Sequence, residues 1–148
     1  VKTDEVIIQQ KADVDRYEID SSIILFDLDF FKGINDSYGH LAGDKVLIEI
    51  AQIIKRNIRA TDYAGRWGGE EFIIVSPNIG ISGATEQAKK ILHEIQRYSF
   101  LGVEKITASA GVNQFSNKIS IEHTIQNVDR ALYQSKKNGR NQVTVYKK

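Results

Sequence analysis

Tyr63-Ala64-Gly65-Arg66-Trp67-Gly68-Gly69-Glu70-Glu71-Phe72-Ile73-Ile74-Val75 reads as two strands joined by a tight reversal. The glycine pair falls where a hairpin has to turn back, between Tyr63–Trp67 and the apolar run Phe72–Val75. Glu70 and Glu71 then crowd two carboxylates at the tip. Adjacent acids repel unless positive charge lies close, and a hard divalent cation with oxygen ligands supplies that charge.

Upstream, Ser22-Ile23-Ile24-Leu25-Phe26 is an apolar run too short for a helix of its own, and it ends in Asp27-Leu28-Asp29. It reads as a buried central strand that delivers a carboxylate from its C-terminal end. Phe30-Phe31-Lys32-Gly33-Ile34-Asn35-Asp36 then starts a short helical segment, with Asp29 as its expected N-cap. Free backbone N–H groups at such a start favour a phosphate.

From His40 onward, Val46, Leu47, Ile50, Ala51, Ile54 and Ile58 recur at helical spacing. Further helices are expected from Ser82 to Arg97 and from Ser120 to Lys137, with Ser82 and Ser120 as N-caps and Gly139 as a stop. Val1 to Tyr17 is expected to be helical. Strands are expected near Ser22 to Leu28, Asp62 to Trp67, Phe72 to Ser76, Lys105 to Val112 and Gln142 to Tyr146; Pro77 follows a strand and opens a loop. This alternation predicts an α/β sandwich, with helices packed around a mixed, largely antiparallel sheet.

The 148 residues suffice for one domain and are too few for two ordinary ones, so residues 1–148 are read as a single domain. With 20 Lys and Arg against 19 Asp and Glu, the net charge of +1 provides no basic field for nucleic acid. There is no cysteine, hence no disulfide or thiolate metal site, and no apolar run nears the roughly 20 residues of a membrane span. The chain suits a cytoplasmic setting, including the cytoplasmic side of a membrane-anchored sensor. It contains no methionine and begins at Val1 without a signal-peptide pattern, which points to a piece of a longer protein.

Phe26-Asp27-Leu28-Asp29-Phe30-Phe31-Lys32, Ile34-Asn35-Asp36, Tyr38-Gly39-His40, Gly43-Asp44, Arg66-Trp67-Gly68-Gly69-Glu70-Glu71-Phe72, and Ala131-Leu132-Tyr133 through Gly139-Arg140-Asn141 together resemble the diguanylate cyclase, or GGDEF, family. The signature here is the GGEEF form. Several separated motifs in one order are far more specific than any one of them. The resemblance runs from about Ile23 to the C-terminus; the family's D-x-L-T-G-L-x-N-R segment is absent, which fits truncation at the N-terminus.

The resemblance implies a polymerase-palm-like version of the sandwich and condensation of two GTP into cyclic di-GMP with release of two pyrophosphates. Asp27, Glu70 and the Leu28 carbonyl are the implied metal ligands, for magnesium or alternatively manganese. Glu71 is a second metal contact, a proton acceptor or a plain charge. Guanine is told from adenine by its N1–H and N2 amino donors, which call for a carboxylate and an amide. Asn35 and Asp44 match the family's guanine-reading pair; read alone, they are a residue near a helix C-terminus and an acid in the first turn of the long helix.

Lys32, Lys136 and Arg140 are the implied triphosphate ligands, while Lys137 suits the dipole of its helix end. Phe30 and Phe31 are core residues whose N–H groups also face phosphate. Arg66 has two equal readings, a phosphate contact or a pairing with an acid. Arg59-Ala60-Thr61-Asp62, read bare, is an exposed ion pair of little weight. At this offset from the glycines it resembles the family's inhibitory site, where Arg59 and Asp62 bind cyclic di-GMP, an Arg fork suiting phosphate. Lys89 and Lys90 stand where the family often adds a second arginine. One GTP site per chain implies a transient homodimer, and an N-terminal regulatory domain is the implied upstream partner. Two other readings stay open: a receptor that binds GTP or cyclic di-GMP without turnover, and a palm-fold cyclase that makes a mononucleotide.

Overall fold

The computed structural model describes residues 2–100 and 102–147. The elements run α1 (Lys2–Tyr17), β1 (Ser21–Leu28), α2 (Phe31–Tyr38), α3 (His40–Arg56), β2 (Tyr63–Arg66), β3 (Glu71–Pro77), α4 (Ile81–Arg97), β4 (Ala108–Gln114), α5 (Ile121–Lys137) and β5 (Val143–Val145). The strands form one sheet in the order β2-β3-β1-β4-β5. Every pairing is antiparallel except β4 with β5. This is the mixed, largely antiparallel sheet flanked by helices that the alternation predicts. Val1, the expected first residue of α1, lies outside the described residues.

β1 is buried on both faces because helices cover both, and the strand's period of two divides its side chains between two cores. Ile24, Phe26 and Leu28 join Phe72, Ile74, Ala108, Ala110 and Val112 beneath α3 and α4. Ile23 and Leu25 join Ile73, Val75, Ile7, Val14, Val128 and Leu132 beneath α1 and α5. By the same parity Asp27 falls on the α5 side. So does its register partner on β3, Glu71.

The second core needs an unusually close helix. A Cβ on Gly111 of β4 would lie 2.5 Å from both Leu132 N and Val128 O, so α5 rests on the strand backbone. Ser135 Oγ donates to Ala110 O at 2.8 Å from within the same contact.

Several boundaries differ from expectation for local reasons. The N-cap of α2 is Phe30, in the left-handed region at φ 57°, and no side chain caps it; Asp29 is engaged elsewhere. Phe30 is therefore 68% exposed rather than a core residue, whereas Phe31 is buried. α4 begins after Gly80 with no side-chain cap, leaving Ser82 inside its first turn. Ser120 does cap α5, accepting from His123 N. β4 starts at Ala108 rather than Lys105, because β1 ends opposite it at Leu28. Pro77 is the last residue of β3, paired with Ser21, rather than the start of a loop. Asp44 lies beyond the first turn of α3, which holds no acid.

Candidate active site

β1 and the β2–β3 hairpin end together, and that juncture gathers the acids. Asp27 stands beside Glu71 in the antiparallel register, and Leu28 N donates to Glu70 O at 3.5 Å. The turn is closed by Trp67 N donating to Glu71 O at 2.8 Å, and by an Arg66 Nη2 bond to Gly69 O. Neither glycine of the turn has a positive φ. A Cβ on Gly68 would lie 2.8 Å from Glu71 Oε1, a flexible side-chain tip that can move aside.

The C-terminal end of α5 brings the countercharge. Lys136 Nζ lies 3.2 Å from Asp27 Oδ2 and 3.5 Å from Leu28 O. Asp27 Oδ1 is buried with no hydrogen-bond partner among the described residues. A buried carboxylate oxygen without a partner is costly unless a cation or donor meets it.

The protonation energetics point the same way. Burial pushes the Asp27 carboxyl above its ordinary 3.8, against the pull of Lys136. Glu70 is raised above 4.5 by burial and then by the Asp27 charge. Glu71 is raised as well, by burial first and then by Asp27, Asp129 and Glu70. One ammonium thus faces more negative charge than it neutralises. A divalent cation would offset the remainder. Among the described residues no three His, Cys, Asp or Glu side chains form a metal-holding group by themselves. The Asp27 and Glu70 carboxylates with the Leu28 carbonyl are a hard-oxygen set that fits such an ion only alongside further oxygen ligands.

The remaining candidates lie on other elements. Asn35 is on α2 and Asp44 on α3, two helices joined at Gly39, and a Cβ on Gly43 in the first turn of α3 would overlap Asn35 Oδ1. Lys32 is exposed in the first turn of α2. Arg140 follows α5; its guanidinium carbon lies 4.5 Å from the Phe30 ring centroid, and its Nε is buried without a partner. Among the described residues Arg66 pairs with no acid; it closes its own hairpin, and its guanidinium carbon lies 5.9 Å from the Phe72 ring centroid.

Arg59 and Asp62 form a more buried pair than the bare spacing suggests. Arg59 Nη2 and Nε reach Asp62 Oδ1 at 2.7 and 3.1 Å, and the Asp62 side chain is 0% exposed. Gln87 Nε2 donates to Asp62 Oδ2 at 2.9 Å, and Arg59 Nη2 also donates to Pro77 O at 2.6 Å.

Residues 3–142 match the family described as diguanylate cyclase, GGDEF domain. The chain belongs to the GGDEF family. It is 45% identical over 130 residues to diguanylate cyclase A of Treponema denticola, covering 85% of this chain and 35% of that protein. The chain thus spans about a third of the length of that curated relative. The active GGEEF domain of a diguanylate cyclase from Vibrio cholerae superposes with a TM-score of 0.90 at 35% identity, over 95% of this chain and 91% of that one. The GGDEF domain of DgcB from Caulobacter crescentus, solved in complex with c-di-GMP, gives 0.91 at 30% identity, over 97% and 88%. The polymerase-palm-like fold expected of a GGDEF domain is the one observed.

Sequence reasoning passed over two contributors to this GGDEF site. Asp129, on α5, adds its charge to Glu71. Asp29, read as a helix cap, instead ties three segments together. Its signal was available: Asp29 comes two residues after Asp27, and the strand's period of two, carried one residue past its end, puts it on the α5 side as well.

Proposed function

We propose that this chain is the catalytic domain of a diguanylate cyclase, one domain of a longer cytoplasmic or membrane-anchored protein. The observation that carries the reading is the Asp27 Oδ1 left without a partner among the described residues, beside Glu70 and the Leu28 carbonyl, with Lys136 at its edge. The reaction condenses two GTP into cyclic di-GMP. In each half, a 3′-oxygen forms a bond to the α-phosphorus of the other nucleotide as the bond to the β-phosphate oxygen breaks, and pyrophosphate leaves.

Asp27, Glu70 and the Leu28 carbonyl would hold the metal, magnesium or alternatively manganese. Bound there, the ion supplies Lewis-acid polarisation of the phosphate and eases deprotonation of the attacking hydroxyl. Lys32, Lys136 and Arg140 bind the triphosphate, with the Phe30 and Phe31 N–H groups facing it, and orient the leaving pyrophosphate. Asn35 and Asp44 read the guanine edge through an amide and a carboxylate. Glu71 contributes a second metal contact or accepts the hydroxyl proton. Because one chain offers one nucleotide site, two chains face each other in a transient homodimer.

Arg59 and Asp62 are proposed to bind cyclic di-GMP as an inhibitory product. Arg59 has part of its fork committed to Asp62, and its 44% side-chain exposure leaves it accessible to a phosphate. The Caulobacter domain solved in complex with c-di-GMP supports product binding in this family. An N-terminal domain in the full-length protein would control the encounter of two chains.

The test is incubation with GTP and Mg²⁺ over a range of protein concentrations, with products resolved by chromatography and mass. Cyclic di-GMP formed at a rate per chain that climbs with concentration is expected. GTP binding without product at high concentration would favour the receptor reading, and a mononucleotide product would favour the other cyclase.

A further inference from the structure

Asp29 is the acid of the first motif that the proposed chemistry leaves without a role. Its carboxylate is buried, yet it meets partners from three segments. Oδ2 accepts from Thr107 Oγ1 at 2.7 Å and from the backbone N–H of Asn141 at 3.1 Å. Oδ1 accepts from Ser109 Oγ at 2.7 Å and lies 4.0 Å from Lys136 Nζ. Its own N–H donates to Thr107 O at 2.9 Å.

The bond to Asn141 matters most. Arg140 and Asn141 both hold a positive φ, 64° and 50°. Non-glycine residues in that region cost of order 1 kcal/mol each and persist only where the surroundings hold them. Within the turn, Gln142 Nε2 donates to Asn138 O and Arg140 O at 2.9 and 3.1 Å, and two backbone N–H groups anchor it to the rest of the fold: Arg140 N to Ser135 O at 2.9 Å from the helix, and Asn141 N to Asp29 at 3.1 Å from across the sheet. Arg140 lies between these anchors, with its partnerless Nε.

We propose that Asp29 is a positioning residue that locks the Arg140 turn, and with it Lys136, at a set distance from Asp27 and Leu28. The metal-ligand end of β1 and the triphosphate ligands after α5 then act as one rigid unit. This rests on the reading of Lys136 and Arg140 as triphosphate ligands. Asn35 and Asp44 belong to α2 and α3, whose apolar residues pack into the opposite core, and among the described residues only the Phe30 ring beside Arg140 links them to the Asp29 junction. Losing Asp29 should therefore weaken the grip on the triphosphate and spare the grip on guanine.

The experiment is calorimetric titration with the α,β-methylene analogue of GTP plus Mg²⁺, and separately with guanosine, alongside amide exchange at Asn141 by NMR. Asp29→Ala should bind the analogue about tenfold more weakly or worse, hold guanosine within about twofold, and expose the Asn141 amide to faster exchange. Asp29→Asn should recover part of the loss, because its amide oxygen still accepts from Asn141 while the Ser109 hydroxyl turns to accept from its NH₂. Ser109→Ala removes a bond from the same buried carboxylate without touching the turn. It should keep the wild-type ratio of the two affinities, which a general loss of packing would not do.

If Asp29→Ala does not fold, Asp29→Asn carries the same comparison with a smaller change. An unchanged ratio of analogue to guanosine affinity in the Asp29 variants overturns the proposal, as does a parallel loss of both ligands. A wild-type chain that binds guanosine but gains nothing from the triphosphate overturns the reading of Lys136 and Arg140 on which it rests. One that binds neither ligand removes the GTP reading itself.

Discussion

Asn35 and Gly43 touch across the α2–α3 turn with no space between them: a Cβ on Gly43 would overlap Asn35 Oδ1 and lie 3.2 Å from Phe31 Cζ. The glycine is required by the neighbouring side chain and not by its own backbone. It is buried in α3. Gly43→Ala should displace the Asn35 amide and raise the KM for GTP by about tenfold, the worth of one hydrogen bond in a polar site. Steady-state kinetics would test it. A KM equal to wild type would mean that Asn35 does not read the base.

Gly111 of β4 has backbone for neighbours on α5, and backbone yields less readily than a side-chain tip. Gly111→Ala should cost about 1–3 kcal/mol as an overpacked contact. For a domain of this size that corresponds to a melting point lower by roughly 2–12 °C. Scanning calorimetry reads the shift directly, and an unchanged melting point would be inconsistent with the close seating of α5.

The acidic juncture should show opposite effects on stability and activity. Burial raises Asp27 and Glu70, so their ionised forms are disfavoured in the fold near neutral pH. Glu70→Gln should therefore leave the metal-free melting point equal or higher. The same change should reduce cyclic di-GMP formation about 100-fold or more and abolish the stabilisation by Mg²⁺ with a GTP analogue. Retained turnover would remove Glu70 from the metal set.

Asp62 supplies a pH dependence of definite sign. Burial by itself would raise its carboxyl, but the side-chain and backbone donors of Arg59 and the Gln87 amide outweigh burial and hold it below 3.8. A carboxyl lowered in the folded state contributes stability that is present above its unfolded value and lost as pH falls through the folded one. Asp62→Asn should be less stable than wild type by about 1 kcal/mol or less near neutral pH, given how far Arg59 is open to water. The difference should shrink as pH drops below 3.8. Chemical denaturation across that range would test it, and a gap that widened on acidification would contradict the assigned pairing.

Removing the Lys136 charge probes the same juncture from the cationic side. Lys136→Met keeps the stem but strips the ammonium from Asp27 and Leu28 O. A buried carboxylate that loses its cation typically costs about 3–5 kcal/mol when fully buried. Here the loss should be smaller, about 1–2 kcal/mol, because both side chains keep some exposure and Asp27 can take up a proton. Stabilisation by added Mg²⁺ should persist in the metal-binding assay while GTP affinity falls. Metal binding lost along with the lysine would count against its placement with the triphosphate.

Sequence by itself determined the sheet and its helices, because the evidence for them is local. A buried strand such as Ile23–Phe26 must be apolar on both faces, and a helix such as α3 must repeat its apolar residues about every fourth position. The family motifs also identified in advance the acids of β1 and the hairpin. Tertiary structure alone decided how these pieces meet. Asp29 looked like a cap because capping is the commonest local use of an acid before a helix, whereas its actual partners, Ser109 and Asn141, are 80 and 112 residues away. Gly43 and Gly111 carry no mark in their own dihedrals, and their need for hydrogen in place of Cβ comes from Asn35 and from the α5 backbone. Phe30 was expected in the core, but a left-handed φ at the start of α2 left it exposed beside Arg140. Local periodicity encodes which face of an element is apolar. Which side chain arrives opposite that face from a distant segment is set by packing, and packing exists only once the chain has folded.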